Sequence, residues 1–233
     1  MNVKGIVILQ WNCRSIYRKL PEFKAYLQSM NRKPDIILLQ ETHLVQKYNP
    51  VLKGYNIIRR DRSIHGGGLV SFIRHGMDYM EQQYAIDDLT ESQFFSVSGI
   101  KFGNIYAPPN SGARFAFLNN FQTQSIIVGD FNAHHPSWSN ENNRHGYFLA
   151  KALEENNLVL LNVEQPTRLN LTSTAVNRWS LLDLVIASSD IAHRCQCRVT
   201  EEFLGSDHCI VIIYINKIAR VSVCLSVTPR KTF

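Results

Sequence analysis

The 233-residue chain is poor in cysteine, and the five it has, Cys13, Cys195, Cys197, Cys209 and Cys224, are odd in number and irregularly spaced. Such a set does not make the disulfide framework of a small secreted domain, and a reducing compartment is expected. Cys195 and Cys197 have no second Cys/His pair at zinc-site spacing, so they read as structural or incidental thiols. Also lacking is any apolar run of the roughly 18 to 20 residues that a membrane-spanning helix needs. The first residues do not follow the basic, apolar, small-residue order of a signal peptide, so the expected location is intracellular, nuclear or cytoplasmic, without membrane contact. Acidic side chains are the scarcer charge: 19 Asp and Glu against 25 Lys and Arg give a formal +6. That excess fits a polyanionic partner, and equally a merely basic soluble protein. Internal repeats and low-complexity blocks are missing as well.

What is present is a succession of apolar strands that end in polar residues. Strands are expected over 3–10, 36–39, 54–58, 66–73, 94–98, 100–106, 125–128, 158–162, 182–187 and 210–215, with helices at 21–30, near 113–122 and over 146–156. Pro21 suits the first turn of the first helix. Many strands with few helices imply two packed sheets flanked by helices. The polar strand ends run from residue 12 to residue 208, so no cut leaves a site intact on one side, and one domain over 1–216 is expected, followed by a probable disordered tail at 217–233. The glycines Gly66, Gly67 and Gly68 precede a strand and lack a Gly-Lys-Ser/Thr ending, so they are a structural approach rather than a phosphate-binding loop.

The strand ends carry the chemistry. Asp130 and Asn132 stand two positions apart after Ile127-Val128-Gly129, and strand alternation would project both into one cleft. There a carboxylate can orient water and an amide can steady an oxyanion. Asn12, Glu41 and the run Ser206-Asp207-His208 end other strands in the same way. Together they suggest a metal-dependent hydrolase. Singly, each has a plain alternative: Asp130 and Asn132 as turn caps, Glu41 as a solvated strand end, His208 as a satisfied buried histidine. His43, His134 and His135 are weaker candidates, and adjacent His134 and His135 point to opposite sides of an extended chain.

In order, Gln10-Trp11-Asn12-Cys13-Arg14-Ser15, Leu39-Gln40-Glu41-Thr42-His43, Gly66-Gly67-Gly68, Asn104-Ile105-Tyr106-Ala107-Pro108-Pro109-Asn110, Gly129-Asp130-Phe131-Asn132-Ala133-His134, Ser180-Leu181-Leu182-Asp183 and Ser206-Asp207-His208 resemble the endonuclease/exonuclease/phosphatase superfamily. Within it, the chain looks most like the apurinic-endonuclease-like domain of jockey-type non-LTR retrotransposons. The resemblance spans roughly 3–215 and implies a four-layered α/β sandwich of two packed, mainly antiparallel sheets flanked by helices, with the site at the top edge of both.

Carried over by position, the resemblance makes Glu41 the metal carboxylate, with Asn12 beside it and Asp207 completing the shell. Asp130 and Asn132 align water and contact the scissile phosphate. His208 and Tyr106 hold the phosphate, and Asp183 partners His208. Asn110, Ser180 and Ser206 lie near the phosphate. Arg14 stands where abasic-site repair enzymes usually carry a carboxylate, which favours the retrotransposon branch and marks it as substrate-binding. The segment from Thr167 to Trp179, with Arg168 and Arg178 near its ends, matches a variable hairpin that probes DNA, making Thr167 a further substrate contact. The implied activity is Mg²⁺-dependent nicking of double-stranded DNA, with Mn²⁺ as a substitute, leaving a 3′-hydroxyl that primes reverse transcription. A reverse transcriptase would belong to the parent element, the chain being a fragment or a decayed copy, and a monomer is expected. The alternatives are a phosphatase of the same superfamily and a catalytically silent DNA-binding relic.

Overall fold

The computed structural model describes residues 5–62, 66–84, 89–170 and 179–216. The chain begins with β1 (Ile6–Asn12), α1 (Leu20–Ser29), β2 (Ile36–Gln40), β3 (Tyr55–Arg60) and β4 (Leu69–Arg74). It continues with β5 (Tyr79–Gln82), β6 (Glu91–Val97), β7 (Ile100–Tyr106), β8 (Ser125–Asp130), α2 (Arg144–Glu155) and β9 (Leu158–Leu160). It closes with β10 (Arg168–Leu169), β11 (Trp179–Ser180), β12 (Asp183–Ser188), α3 (Ser189–Ala192), β13 (Cys195–Val199) and β14 (Val211–Ile215). One six-stranded sheet has the order β13-β14-β1-β2-β4-β3 and the other β5-β6-β7-β8-β12-β9, with β10 and β11 as a separate hairpin base. Only β1–β2 and β7–β8 are parallel among the named pairs, so both sheets are mainly antiparallel.

Period-two alternation sorts the strands into layers. Ile6 and Ile8 face the other sheet, in a core shared with Ile36, Leu38, Phe95, Phe102, Ile126, Val128, Val185 and Ala187. Val7, Leu9 and Trp11 face outward, where α1 buries Leu20, Phe23 and Leu27 against them. On the far side α2 buries Leu149, Ala152 and Leu153 against Ile127, Leu184 and Ile186 of the second sheet. The result is helix, sheet, sheet, helix: the four-layered α/β sandwich.

Two expectations change. The helix expected near 113–122 is a short 3₁₀ turn, Ala116–Asn120, because Phe115, Phe117, Leu118 and Phe121 are drawn into one buried aromatic cluster with Phe94 rather than onto one helical stripe. Strand β13 was not expected: Cys195, Cys197 and Val199 alternate with Gln196 and Arg198, so the two thiols are the half-buried side of an edge strand packed on the inter-sheet core. The tail 217–233 and residues 171–178 of the expected hairpin lie outside the described residues.

Candidate active site

The inward rows of both sheets change character at the same height. Ile6-Ile8 gives way to Gln10 and Asn12, Ile36-Leu38 to Gln40, Phe102 to Asn104 and Tyr106, Phe95 to Gln93 and Glu91, Val128 to Asp130, and Val185 to Asp183. Strand direction accounts for the convergence. Residues at the C-terminal ends of β1, β2, β7 and β8 meet those at the N-terminal ends of their antiparallel neighbours β6, β12 and β14.

Asn12 is fully buried, and its Nδ2 donates to Glu41 Oε1 at 2.8 Å and to Asp130 Oδ2 at 2.9 Å. One amide thus holds carboxylates from both sheets. Glu41, just past β2, has φ 47°, and Asn132, two residues past β8's Gly129-Asp130 end in reading order from Phe131, has φ 45°. This left-handed backbone is unusual for Glu, though Asn tolerates it, and it clusters at the site, with Arg14, Ser15 and His43 also at positive φ. Asn132 is therefore not aligned with Asp130 by strand alternation, as expected from the spacing. The chain turns instead: the Asn132 N–H donates to Asp130 Oδ1 at 3.0 Å, and its Nδ2 donates to Ala107 O at 3.1 Å. Asn143, the N-cap of α2, fixes this turn by donating to Asn132 O at 2.9 Å. Gly146 allows the close approach, since a Cβ there would lie 1.7 Å from His134 O.

His208 is 2% exposed and its Nδ1 lies 2.7 Å from Asp183 Oδ2. Its Nε2 is 4.0 Å from Asp130 Oδ2. Burial works against the imidazolium, but the charge and hydrogen bond of Asp183, with Asp130 and Asp207 nearby, outweigh it and raise the His208 pKa to about 9. Burial raises the Asp130 carboxyl to about 7 despite the opposing effect of His208. Tyr106 stands opposite Asp130 in the β7–β8 register, and burial, then Glu41 and Asp130, keep its phenol protonated far above its ordinary range.

The other expected residues divide. Ser206 Oγ donates to Asn12 O at 2.7 Å and accepts from His208 N–H at 3.2 Å, which makes it a brace of the site. Thr167 is fully buried, and its Oγ1 accepts from the Asp183 N–H at 3.0 Å. It therefore cannot touch a substrate as expected; it positions the strand that carries Asp183. Ser180 is half-buried in β11, with its carbonyl bound by the Thr167 N–H. Asn110 is exposed on the loop after β7, at φ 58°. Asp207, expected as a metal ligand, gives Oδ2 to Arg14 and Arg168, while its buried Oδ1 has no hydrogen-bond partner among the described residues and lies 3.9 Å from His208 Nε2. His43 lies at the site, with Nε2 3.4 Å from Glu41 Oε2, whereas His134 and His135 are taken up by Ser139 and Ser137.

Sequence reasoning missed the layer beneath. Gln10 Nε2 donates to Asp183 Oδ1 at 2.9 Å and to Gln40 Oε1 at 2.8 Å; Gln40 Nε2 donates to Asn104 Oδ1 at 2.7 Å. Asn104 Nδ2 and Ser71 Oγ both reach Gln93 Oε1. This buried chain runs from Asp183 through both sheets, and such networks fix one arrangement because a broken link leaves a buried group unpaired. Asn104→Leu is expected to cost about 1–3 kcal/mol for each buried partner it orphans, read as a fall in the denaturation midpoint; an unchanged midpoint would show that the network adds no stability.

A divalent cation would meet oxygen donors here: the partly exposed Glu41 carboxylate, the Asn12 carbonyl and the Asp130 carboxylate. Among the described residues, no three His, Cys, Asp or Glu side chains gather closely enough to cage an ion. The three oxygen donors named above are of the kind a hard ion such as Mg²⁺ takes, which is usually bound by one or two carboxylates and otherwise by water and substrate phosphate.

The endonuclease-reverse transcriptase family matches residues 100–212. A probable RNA-directed DNA polymerase from the transposon X-element of Drosophila melanogaster is 29% identical over 177 residues, covering 69% of this chain and 19% of that protein. Among solved structures, the endonuclease domain of TRAS1, a telomere-specific non-LTR retrotransposon, superposes with a TM-score of 0.70 at 19% identity, covering 92% of this chain and all of that one. The 3′ phosphatase NExo from Neisseria, bound to a product DNA hairpin, gives 0.74 at 18% identity, with 91% and 100% covered. The chain is thus similar to the endonuclease-reverse transcriptase family over residues 100–212, and it shares the fold of these solved structures over most of its length. It spans about a fifth of its curated transposon relative's length. Within the candidate site, the Asn12 bridge and the His208–Asp183 pair join the two sheets into one constellation.

Proposed function

We propose that the chain is a metal-dependent endonuclease that nicks double-stranded DNA and leaves a 3′-hydroxyl able to prime reverse transcription. The observation that carries this reading is the convergence of Asn12, Glu41, Asp130 and the His208–Asp183 pair on one sheet edge. Glu41, with the Asn12 carbonyl, would hold Mg²⁺ or Mn²⁺; the bound ion supplies charge neutralisation on the phosphate and on the departing oxygen. Asp130, ionised, takes the proton of the attacking water, and the Asn132 amide steadies the phosphate. Cationic His208 and the protonated Tyr106 phenol bind phosphate oxygens, while Asp183 holds the imidazole's orientation and charge. Duplex DNA is the substrate, and the reverse transcriptase that uses the new end belongs to the parent element. The test is the chemistry of the nick: ligase sealing without prior end treatment, and extension by a DNA polymerase, are expected. Nicks that neither seal nor extend would rule out the priming role.

The charge states give a pH dependence. Asp130 is ionised above about 7 and His208 is cationic below about 9, so nicking should rise through the first value and fall through the second. The limbs belong to the coupled cluster as a whole. Asp183→Asn removes the charge that raises His208, so His208 loses its proton at lower pH and the descending limb moves toward neutrality. A pH–rate profile with that limb unmoved contradicts the His208–Asp183 coupling.

A further inference from the structure

Asp207 joins a cationic cluster that the mechanism above does not use. Its Oδ2 receives Arg14 Nη1 at 3.0 Å and Arg168 Nε at 2.9 Å. The Asp207 side chain is 6% exposed, whereas that of Arg14 is 54% and that of Arg168 33% exposed. Each guanidinium has five N–H donors, and the carboxylate takes one from each. Two positive charges meet one negative charge, which leaves an excess of one beside His208. Lys19 adds another cation nearby, its Nζ donating to the carbonyls of Cys13 and Arg14.

The backbone fixes both arginines to the site. Arg14 follows Asn12 by two residues, and its N–H donates to Asn12 Oδ1 at 3.2 Å. Arg168 is bridged to His208, with the Leu169 N–H on Asp207 O at 2.8 Å and the Cys209 N–H on Thr167 O at 2.7 Å. A ligand held by these guanidiniums would therefore sit at a set distance from the His208–Asp183 pair. A planar fork with free donors suits phosphate oxygens better than a lysine's point charge does.

We propose that Arg14 and Arg168, locked together by Asp207, bind a second backbone phosphate of the DNA strand, next to the scissile one. This rests on the DNA-nicking reading above and extends it: the clip sets where along the strand the nick falls, while the chemistry stays with Asp130, His208 and Glu41.

Equilibrium binding of a duplex in EDTA, across a salt series, separates the clip from turnover. Arg14→Ala and Arg168→Ala should each flatten the slope of log affinity against log salt by about one. Arg14→Lys should keep the slope while losing affinity, because charge remains and the fork does not. In parallel, single phosphates are replaced by neutral methylphosphonates. One position flanking the nick should weaken wild-type binding and have no further effect in Arg168→Ala. A melting curve confirms that the variants fold, with Arg14→Lys as the mildest change. Slopes equal to wild type in both alanine variants, or a methylphosphonate profile that survives them unchanged, overturn the clip even if the wild type nicks DNA. Clip behaviour in a wild type that never nicks would support the phosphate site and sink the enzymatic reading; a wild type that binds no DNA sinks both.

Discussion

Glu41→Gln is expected to lower Mg²⁺-supported nicking by at least about a thousandfold, while the melting curve hardly moves. Charge stabilisation by a bound divalent ion is worth several kcal/mol in the transition state, and each 1.4 kcal/mol is about tenfold in rate. The fold should tolerate the change because Glu41 is partly exposed, with 17% of its side chain accessible, and the amide that replaces it can keep the Asn12 hydrogen bond through its oxygen. Single-turnover nicking of a supercoiled plasmid, beside thermal unfolding, reads both. A loss of less than about tenfold would move the metal-binding role away from Glu41.

His208→Ala should also lose most of the activity and, unlike Glu41→Gln, destabilise the protein. Removing one positioned transition-state donor costs on the order of a hundred- to a thousandfold. The imidazolium also stands between buried carboxylates: Asp183 has no exposed surface and Asp130 is 1% exposed. Taking away the partner of a buried charge costs about 3–5 kcal/mol. The stability loss should be larger at pH 6 than at pH 8, since a His208 pKa raised to about 9 contributes stability that is fully present below the ordinary histidine range and is lost as pH rises through about 9. Denaturation at both values, with nicking of the folded fraction, is the check; wild-type stability at both would show that His208 does not neutralise Asp183.

The sequence made the architecture readable because each inward row of a strand is an alternating apolar series, and the polar residue that ends it stands out. Asn12, Glu41, Asp130 and His208 could be picked out this way and Asp183 only through the family resemblance, and the structure places all five on one edge. The layer below them was hidden by the same pattern. Gln10 and Gln40 sit inside apolar strands and read as strand ends, although their two-residue spacing from Ile8 and Leu38 puts them on the inward face. Asn104 and Gln93 had no signal of their own, because partners so distant in sequence are paired only by the fold. Thr167 shows the opposite failure. A polar residue at the start of a stretch rich in Thr, Asn and Ser invites a substrate role, yet its hydroxyl is spent on the Asp183 backbone in the interior. Asp207 shows how a neighbour adds to a motif: with Arg14 two residues after Asn12, one oxygen of its carboxylate is drawn into an ion pair. Asn132 reaches the site through a left-handed turn, a conformation that residue spacing alone does not encode.

The central claim is a nick made by this site with a divalent ion. The most direct measurement is the conversion of supercoiled plasmid to open circles by the wild-type chain, in Mg²⁺ and in excess EDTA, with Glu41→Gln run in parallel. Open circles that accumulate with time in Mg²⁺, stop in EDTA and are almost lost in the variant are the predicted result. Intact supercoils in Mg²⁺, or equal nicking by wild type and variant, would contradict it.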